Sequence, residues 1–578
     1  MEEKKKKNKN TTSAANGGAA SASGIDLTQS AERELDRIVE DATDALLKAA
    51  ANVDPDSPAR NPQNIRAHLL QRIKDEIDIE NSVKPKDDKI AKPQRLPRTA
   101  VRKLVIALHT VVNVIVSSTK EGDAKVLAIY QTSGSKEGIY DTDEATLLNL
   151  IDSYAPGMTR REKLDTLADL ENMAPVRRRN TDRDLIAVNN GVFDYRTKTL
   201  LPFSPDLVFT SKCNVDYVAN AANPVIHNPD GTLWDVESWF CDLSDDQDVV
   251  DLLWQGLGAV VRPLVAWDKV LSPYGDGCNG KGTYCELAEN LCGSSCTDIP
   301  LANFGKDFHL GELLVKSVVI CHENDTNSFL RDVKYFKSAV TGDTFQLNRK
   351  NKAVLSIRFN GFMMQCFNDM PRINDRSSAI YRRFLWVPFW KDFKGCDRSY
   401  IKDDYIHRKE VLEYVLCKVL NMPDYYKLSE PAACKSMLEE FKVFNDPLRQ
   451  FWGDFAENFV WQLLPMQFLY DLYKKWFEKN CPSGGVQGRN TFMGDLKSLM
   501  AGDPEWEFCA EARPGHMMDA SEPLILEYDL KDWMAKGYTG SDPVKKCMTS
   551  LASKYKNCLR RRSAAAAGIA VEKKGEIS

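Results

Sequence analysis

Residues 269–291 have the sequence KVLSPYGDGCNGKGTYCELAENL, from which the fold class can be inferred. An apolar run leads into a glycine-rich segment, GDGCNGKGT at 275–283, and a helix-compatible stretch follows. A strand, a glycine-rich loop and a helix in this order are the context that a phosphate-binding loop (P-loop) requires. The segment therefore predicts a P-loop within an α/β domain.

The loop composition indicates which groups hold the phosphates. Glycines permit a tight turn whose backbone N–H groups face inward, next to the N-terminus of the following helix. Lys281 is expected to bridge the β- and γ-phosphates. Gly282 stands where P-loops carry the magnesium-binding hydroxyl, and Thr283 comes one step later, so the sequence leaves magnesium ligation by Thr283 open. The expected nucleotide-binding residues are Gly275, Gly277, Asn279, Gly280, Lys281, Gly282 and Thr283.

A second chemical feature is LLVKSVVICHEND, residues 313–325, a continuous apolar run that ends in acid. This pattern predicts a buried parallel strand that delivers carboxylates to its C-terminal end, where open α/β sheets bind ligands. Glu323 is the candidate for polarising the attacking water, and Glu323 and Asp325 are the candidate Mg²⁺ ligands beside Thr283. His322 occupies a position where many P-loop enzymes carry an acid. A lone histidine is more often structural than catalytic, and a hydrogen bond to Glu323 is the alternative.

Taken together, these residues resemble the superfamily 3 helicases, in particular the phage and plasmid primase-helicases that include the poxvirus primase-helicase. Five motifs of that group occur in order: GDGCNGKGT (275–283), VVICHE (318–323), KSAVTGD (337–343), MMQCFNDMP (363–371) and AIYRRFLWVPF (379–389). The resemblance extends upstream to DLIAVNNGVFDYRTKTLLPFSP (184–205) and downstream to a winged-helix-like module that starts at NDPLRQF (445–451). It implies an AAA+ type ATPase core and a hexameric ring.

The resemblance also implies roles for individual residues. Asn368 is expected to sense the γ-phosphate or the attacking water, and Arg382 and Arg383 to act as an arginine finger pair for the neighbouring subunit. The segment TFQLNRKNKAVLSIRF (344–359) has two alternating runs around a basic turn, which predict a hairpin. In the family this hairpin projects into the ring channel, which makes Arg349, Lys350 and Lys352 the candidates for gripping the DNA backbone. An exposed hairpin whose basic residues only maintain solubility is the alternative.

The predicted fold class is α/β, with a P-loop AAA+ type core, helical and α+β modules before it, and a winged-helix module after it. The predicted domains are a disordered tail (1–24), a helical module (25–150), a family N-terminal module (151–250), the ATPase domain (251–400), a helical connection (401–445), the winged-helix-like module (446–545) and a basic tail (546–578). In the winged-helix-like module Arg489, Asn490 and Lys497 are candidates for facing a DNA groove, with protein contact as the alternative. The basic tail is a candidate for non-specific phosphate binding.

Composition restricts location and partners. A net charge of −5 places any nucleic-acid affinity in local basic patches. The 15 scattered cysteines and an N-terminus without a signal-type apolar stretch predict reduced thiols in a cytoplasm, that of a bacterial host if the gene is phage-borne. The spacing of Cys278, Cys285, Cys292 and Cys296 argues against a zinc site. The apolar window VRKLVIALHTVVNVIVSS (101–118) predicts a buried helix or strand pair and no membrane span.

The P-loop motifs together with the resemblance to superfamily 3 helicases imply an ATP-dependent DNA helicase and replication initiator of a phage or mobile element, which uses ATP and Mg²⁺. The expected partners are single-stranded and forked DNA, further copies of the chain and other replication proteins. Two alternatives stay open. The first is a primase-helicase that also synthesises primers, although no acidic polymerase centre is visible and the N-terminal region is short for one. The second is a non-catalytic origin-binding scaffold, for which the Gly282 and His322 departures argue.

Overall fold

The computed structural model describes residues 27–562, except 55–56, 307–308, 326–328, 331–332, 350–351, 374, 376, 397 and 481–484. The tail predicted at 1–24 lies outside the described residues, as do residues 563–578. The described chain divides into two compact units. The first contains residues 27–116, 125–180 and 204–210, and the second contains residues 117–124, 181–203 and 211–562. Within the described parts, no helix has both the length and the apolar content that a bilayer span requires.

The first unit packs helices against a four-stranded sheet. Its helices are α1 (Leu27–Ala50), α2 (Pro62–Ser82), α3 (Arg98–Leu108), α4 (Glu144–Tyr154) and α5 (Arg160–Met173). The strands of its sheet are β1 (Val111–Thr119), β2 (Gly122–Tyr130), β3 (Tyr140–Asp141) and β4 (Val176–Arg178), in the order β3-β2-β1-β4. The apolar window at 101–118 is therefore divided between α3 and the buried strand β1.

This architecture corrects the predicted domain boundaries. The predicted helical module at 25–150 contains a sheet, and its last strand, β4, pairs with β1 across the expected boundary. The boundary after residue 150 falls inside α4, because that helix continues to Tyr154. Sequence periodicity shows where helices lie but not which distant strand completes a sheet. Because β4 completes this sheet, the first unit extends to residue 180.

The second unit begins with small antiparallel elements and two helices. These are β5 (Leu185–Val188), β6 (Gly191–Asp194), β7 (Thr199–Leu201), β8 (Ile226–His227), β9 (Leu233–Trp234), α6 (Val236–Leu243) and α7 (Gln247–Val261). Strands β5, β6 and β7 form one antiparallel sheet, as the turn residues between them predict. Helix α7 is continuous through residue 250, so the boundary predicted there lies within a helix.

The centre of the second unit is a five-stranded parallel sheet. Its elements and connections are β10 (Val270–Tyr274), α8 (Lys281–Cys292), β11 (Cys296–Thr297), β12 (Val318–Cys321), β13 (Phe329–Leu330), α9 (Lys334–Thr341), β14 (Thr344–Arg349), β15 (Lys352–Arg358), β16 (Phe362–Gln365), β17 (Arg372–Ile373), α10 (Ser378–Tyr381) and β18 (Phe384–Pro388). The strand order is β11-β12-β16-β10-β18, and every pairing in it is parallel. The strand before the P-loop, β10, thus lies between β16 and β18.

Alternate residues of these strands bury opposite faces of the sheet. Leu271, Ile320, Met364 and Leu385 pack into the same core as α7 and α8. On the other face Phe384 stacks on Phe336 of α9, with ring centroids 5.4 Å apart. The sheet is therefore covered on both sides, which is why its strands read as continuous apolar runs.

The chain continues into helices and a C-terminal module. The helices are α11 (Ser399–Asp403), α12 (Lys409–Asn421) and α13 (Ala432–Asn445). The module contains α14 (Pro447–Phe455), β19 (Leu463–Pro465), α15 (Met466–Asn480), α16 (Arg489–Met500), β20 (Trp506–Ala512), α17 (Leu524–Glu527), α18 (Pro543–Lys546) and β21 (Tyr555–Arg561). The boundary predicted after residue 400 falls inside α11.

The last strand, β21, lies within the segment that was predicted to be a basic C-terminal tail. β21 is the central strand of the antiparallel sheet β19-β21-β20, so residues 555–561 belong to the module and not to a separate basic tail. Arg560 is ion-paired with Glu507 on the neighbouring strand, and Lys554 with Glu511. Glu522 is fully buried, and its Oε2 accepts the backbone N–H groups of Val460 and Trp461 at 2.9 and 3.1 Å.

Candidate nucleotide-binding site

The P-loop connects β10 to α8, as the sequence predicts, and two of its glycines have no substitute. Gly275 and Gly280 have φ angles of +148° and +88°, which side-chain-bearing residues rarely adopt. A Cβ on Gly275 would lie 2.5 Å from the carbonyl oxygen of Phe389, and one on Gly280 would lie 2.6 Å from Leu243 Cδ2. Both strain and space therefore require glycine at these two positions.

The loop is braced by the chain that follows β18. Asn279 is 3 % exposed, and its Nδ2 donates to the carbonyl oxygen of Phe389 at 3.0 Å. Asn279 is one of the expected nucleotide-binding residues, and its side-chain amide also braces the loop. Cys278 adopts a φ of +61°, and its carbonyl accepts the N–H of Phe393 at 2.9 Å. Strained backbone of this kind persists where the surrounding structure fixes it, often at functional sites.

Lys281 is the first residue of α8 and is 6 % exposed. Its Nζ donates to the carbonyl oxygens of Gly275 and Asp276, the latter at 2.8 Å, and lies 3.3 Å from Asn279 Oδ1. Burial lowers the pKa of the ammonium group. The lysine is thus held inside the curve of the loop, where phosphate oxygens would replace carbonyl oxygens as its acceptors.

The acidic loop follows β12, whose four residues are all buried. Glu323 and Asp325 are exposed, whereas Asn324 between them is 4 % exposed. Asn324 Oδ1 accepts the N–H of Leu301 at 2.7 Å, and its Nδ2 donates to Gln365 Oε1 and to the carbonyl of Cys366, both at 3.0 Å. This anchored amide fixes the loop between its two carboxylates. Sequence reasoning missed Asn324, although the acid–Asn–acid pattern is visible in the sequence.

His322 does not pair with Glu323, the alternative that the sequence left open. Its Nε2 lies 2.9 Å from Glu289 Oε1 on α8, and this hydrogen bond raises the pKa of His322. The histidine therefore connects the acidic loop to the helix that follows the P-loop, a structural position.

Asn368 lies at the start of the P-loop, as expected from a strand in the same sheet. β16 pairs directly with β10, and the pairing continues beyond the strand, since Phe367 N–H donates to the carbonyl of Pro273 at 2.9 Å. Gly275 N–H in turn donates to the Phe367 carbonyl at 3.3 Å. Asn368 is the next residue and is exposed. The first glycine of the P-loop and the expected sensor are thus adjacent across one strand pairing.

The two arginines of the expected finger pair differ in exposure. Arg382 is exposed, whereas Arg383 is 7 % exposed. The Arg383 guanidinium donates to the carbonyl oxygens of Ala379 and Lys337, the latter at 3.3 Å, within its own chain. In the single chain Arg383 is thus hydrogen-bonded to its own backbone. Of the two expected finger residues, Arg382 is the accessible one in this chain.

The expected DNA-contacting hairpin is formed by β14 and β15, which pair antiparallel. Arg349 and Lys352 are cross-strand partners next to its turn. Lys350, the third candidate, lies outside the described residues.

In the C-terminal module Arg489, Asn490 and Lys497 lie on α16, and all three are exposed. Lys497 Nζ lies 4.8 Å from the centre of the Phe508 ring on β20.

The candidate metal ligands are the carboxylates of the acidic loop. Among the described residues, no group of three or more His, Cys, Asp and Glu side chains is placed to hold a metal ion by itself. Mg²⁺ needs no such cage, because it is commonly bound through one or two carboxylates together with substrate phosphates and water. The exposed Glu323 and Asp325 fit that requirement. Thr283 is only half-buried and borders a cavity on the outer side of the loop.

Family models match three parts of the chain. Residues 98–241 match the family described as D5 N terminal like, and residues 444–511 match Poxvirus D5 protein-like. Residues 274–383, which span the P-loop, the acidic loop and Arg382, match a family of unknown function (DUF5906). These matches confirm the resemblance to the primase-helicases of superfamily 3. The two D5-type matches lie on either side of the segment that carries the P-loop.

Solved structures with similarity to the chain include the apo C-terminal region of NrS-1, with 13 % identity over 80 % of this chain and 99 % of that one at a TM-score of 0.41. A second structure of the NrS-1 C-terminal region (305–718) shows 14 % identity over 66 % of this chain and 93 % of that one at a TM-score of 0.39. JCV helicase shows 15 % identity over 36 % of this chain and 58 % of that one at a TM-score of 0.23.

Proposed function

We propose that this chain, with its D5-like segments on both sides of a P-loop domain, is an ATP-driven DNA helicase that acts in replication. The observation that carries the proposal is the position of β10 between β16 and β18. That order places the phosphate-binding loop between the strand that leads to Asn368 and the strand that follows Arg382. The sheet order and the P-loop support an AAA+ type core.

The nucleotide chemistry follows from these positions. Gly275, Gly277 and Gly280 shape the loop so that its amides and the N-terminus of α8 bind phosphate. Lys281 exchanges loop carbonyls for phosphate oxygens, which stabilises the negative charge of the β- and γ-groups. Glu323 accepts a proton from, or orients, the water that attacks the γ-phosphorus, and Asn368 donates hydrogen bonds beside it.

Glu323 and Asp325 would hold Mg²⁺, with Thr283 as a further candidate. The ion supplies charge neutralisation on the β- and γ-oxygens when it is bound.

Arg382 completes the site of a neighbouring copy. An exposed guanidinium at the end of α10 is free to approach a second chain, and a finger supplied in trans is worth on the order of 10³–10⁵ in rate. The site needs this partner, and so the proposal includes a closed homo-oligomer. We propose a hexameric ring, following the family.

The DNA contacts are assigned to the hairpin and the C-terminal module. Arg349, Lys350 and Lys352 grip phosphates, which gives affinity without sequence information. The helices and three-stranded sheet of residues 446–561 support a winged-helix module, with Arg489, Asn490 and Lys497 toward DNA. Single-stranded and forked DNA are the proposed substrates, other replication proteins the further partners, and the cytoplasm the proposed location.

Steady-state ATP hydrolysis tests the proposal. We expect turnover that single-stranded DNA stimulates and that Lys281→Ala abolishes. Turnover that does not depend on Lys281, under any DNA condition, would replace the motor with an ATP-independent DNA-binding scaffold. Ribonucleotide incorporation on a single-stranded template would add primer synthesis to the activity.

A further inference from the structure

Two buried cysteines face each other between the P-loop helix and the strand that leads to Asn368. Cys285 of α8 is fully buried, and Cys366, which directly follows β16, is 2 % exposed. Their Sγ atoms are 2.9 Å apart and share a hydrogen bond. Met364 Sδ lies 3.5 Å from Cys285 Sγ, and all three side chains belong to the apolar core that α7 and α8 form with the sheet. The two thiols are therefore a pair inside this core.

The spacing of the two sulfur atoms favours a covalent bond over a metal site. A disulfide has an S–S distance of about 2.03–2.05 Å, so the two atoms need to approach by only about 0.9 Å. A metal ion between two thiolates needs more room, because metal–sulfur bonds of about 2.3 Å at a tetrahedral angle place the sulfur atoms about 3.8 Å apart. A bond between residues 81 positions apart in the sequence would cross-link α8 to the end of β16.

The pair lies below the residues that are expected to hold the phosphates. Cys285 comes one helical turn after Lys281, on the same face of α8, and Cys366 stands two residues before Asn368. Burial lowers the pKa of Lys281, and negative charge on Cys366 or Cys285 acts against that shift. The two thiols are thus within electrostatic range of the ammonium group of Lys281. A disulfide here would connect the helix that begins with this lysine to the strand that leads to the expected sensor.

We propose that Cys285 and Cys366 are a reversible oxidation site, and that their disulfide stops nucleotide turnover. The effect on turnover rests on the proposed function, whereas the formation of the bond does not. The bond would draw α8 and β16 together by a fraction of an ångström and fix them there, and a misplacement of about 1 Å can lower an enzymatic rate by about a hundredfold. Disulfides in cytoplasmic proteins are usually transient and catalytic or redox-sensing, which agrees with the proposed location.

The oxidant of this reaction is a two-electron oxidant, for which hydrogen peroxide is the probe. One cysteine sulfur attacks a peroxide oxygen, the O–O bond breaks, and a sulfenic acid (S–OH) and one water are formed. The second sulfur attacks the sulfenic sulfur, the S–O bond breaks, and the S–S bond forms with release of a second water. Two thiols and one peroxide thus give one disulfide and two waters, and two electrons pass from the sulfur atoms to the peroxide. Dithiothreitol returns two electrons and two protons.

Burial determines how fast the pair reacts. The hydrogen bond to Cys366 and burial raise the pKa of Cys285, so attack on peroxide waits for a local opening of α8 that admits water. A nucleotide bound in the P-loop holds α8 in place and reduces the open population by the factor 1 + [ATP]/Kd. ATP at about a hundred times its Kd should therefore slow disulfide formation by about a hundredfold. Equal rates with and without ATP would overturn the link between the pair and the nucleotide site.

Disulfide mapping of the full chain tests the bond itself. The protein is treated with hydrogen peroxide, the remaining thiols are alkylated after unfolding, and the peptides are identified by mass spectrometry. We expect a dithiothreitol-sensitive link between the peptides that contain Cys285 and Cys366. Alkylated Cys285 and Cys366 in a protein whose other cysteines are oxidised would overturn the inference. This measurement requires neither a variant nor ATPase activity.

ATP hydrolysis before and after oxidation tests the consequence. We expect peroxide to lower wild-type turnover by about a hundredfold and dithiothreitol to restore it. Cys285→Ser and Cys366→Ser should each retain the turnover of their own reduced form, because one thiol cannot form the bond. Cys434→Ser is the matched control, since Cys434 of α13 is 2 % exposed in the same core, and it should lose turnover as the wild type does.

The outcomes separate the inference from the proposed function. Equal inactivation of the wild type and Cys285→Ser would assign the loss of turnover to another cysteine and overturn the inference. A mapped disulfide between Cys285 and Cys366 that leaves turnover unchanged would also overturn it. A reduced wild-type protein without Lys281-dependent turnover would instead contradict the proposed function, and disulfide mapping would still decide whether the bond forms.

Discussion

Arg382 and Arg383 are expected to respond differently to substitution, which the sequence motif alone does not predict. Arg383 donates to two main-chain carbonyls from a buried position, and hydrogen bonds of charged groups contribute about 1.5–3 kcal/mol each. Allowing for partial relaxation, Arg383→Ala should cost about 3 kcal/mol of folding free energy, because both carbonyls lose their donor. Arg382 is exposed, and its removal should change stability by less than about 0.5 kcal/mol.

The two substitutions should affect catalysis in the opposite order: Arg382→Ala more strongly than Arg383→Ala. Arg382→Ala should lower ATP turnover by on the order of 10³ while the thermal unfolding curve stays at its wild-type position. Arg383→Ala should shift that curve to lower temperature and keep turnover per folded protein within about tenfold of wild type. Mixing Arg382→Ala with Lys281→Ala should restore activity, since one subunit then supplies the lysine and its neighbour the arginine. Wild-type turnover in Arg382→Ala, or an inactive but fully stable Arg383→Ala protein, would refute the assignment.

Three further predictions concern other parts of the chain. Gly280→Ala should abolish nucleotide binding, measured by titration with ATP, because it meets both a left-handed backbone and Leu243; retention of binding would show that the loop is not held as described. Burial raises the pKa of Glu522, so the folded state binds its proton more tightly than the unfolded one. The contribution of Glu522 to stability should therefore be fully present below the ordinary glutamate pKa and be lost as the pH rises through the raised value. The difference in unfolding temperature between the wild type and Glu522→Gln should change across that pH range, and a difference that stays constant with pH would contradict it. Replacing Arg349 and Lys352 by Ser should weaken single-stranded DNA binding and lower its salt dependence by about 0.7 in logarithmic slope per lost phosphate contact, whereas an unchanged slope would leave the hairpin without a DNA role.

The P-loop segment was predictable because its composition and the order of its elements coincide. The P-loop needs a strand, a glycine-rich turn and a helix in immediate succession, and all three are visible in residues 269–291. The position of Asn368 followed from parallel-sheet logic, because strands of one sheet end at the same edge. These features depend on short stretches and on a general property of sheets.

What the sequence did not reveal depends on contacts between distant segments. Arg382 and Arg383 are identical neighbours in the sequence. They differ in the structure because Arg383 is buried and donates to carbonyl oxygens of α9 and α10. The role of Asn279 in bracing the loop depends on its hydrogen bond to the Phe389 carbonyl, which is distant in sequence. The partner of His322 is Glu289, which lies on a different element.

The predicted domain boundaries were wrong for the same reason. β4 and β21 are short basic strands with little apolar signal of their own, and each is stabilised by pairing with strands far away in sequence. Basic residues on a strand such as β21 look like a solvated tail until their cross-strand acidic partners are known.

Unwinding of a forked DNA duplex distinguishes an ATP-driven helicase from an ATP-independent DNA-binding protein. The wild-type chain with ATP and Mg²⁺ should separate the strands, and Lys281→Ala and Arg382→Ala should each fail to do so while still binding the fork. Strand separation that proceeds equally well in Lys281→Ala, or a wild-type protein that hydrolyses ATP on the fork without separating it, would contradict an ATP-driven helicase.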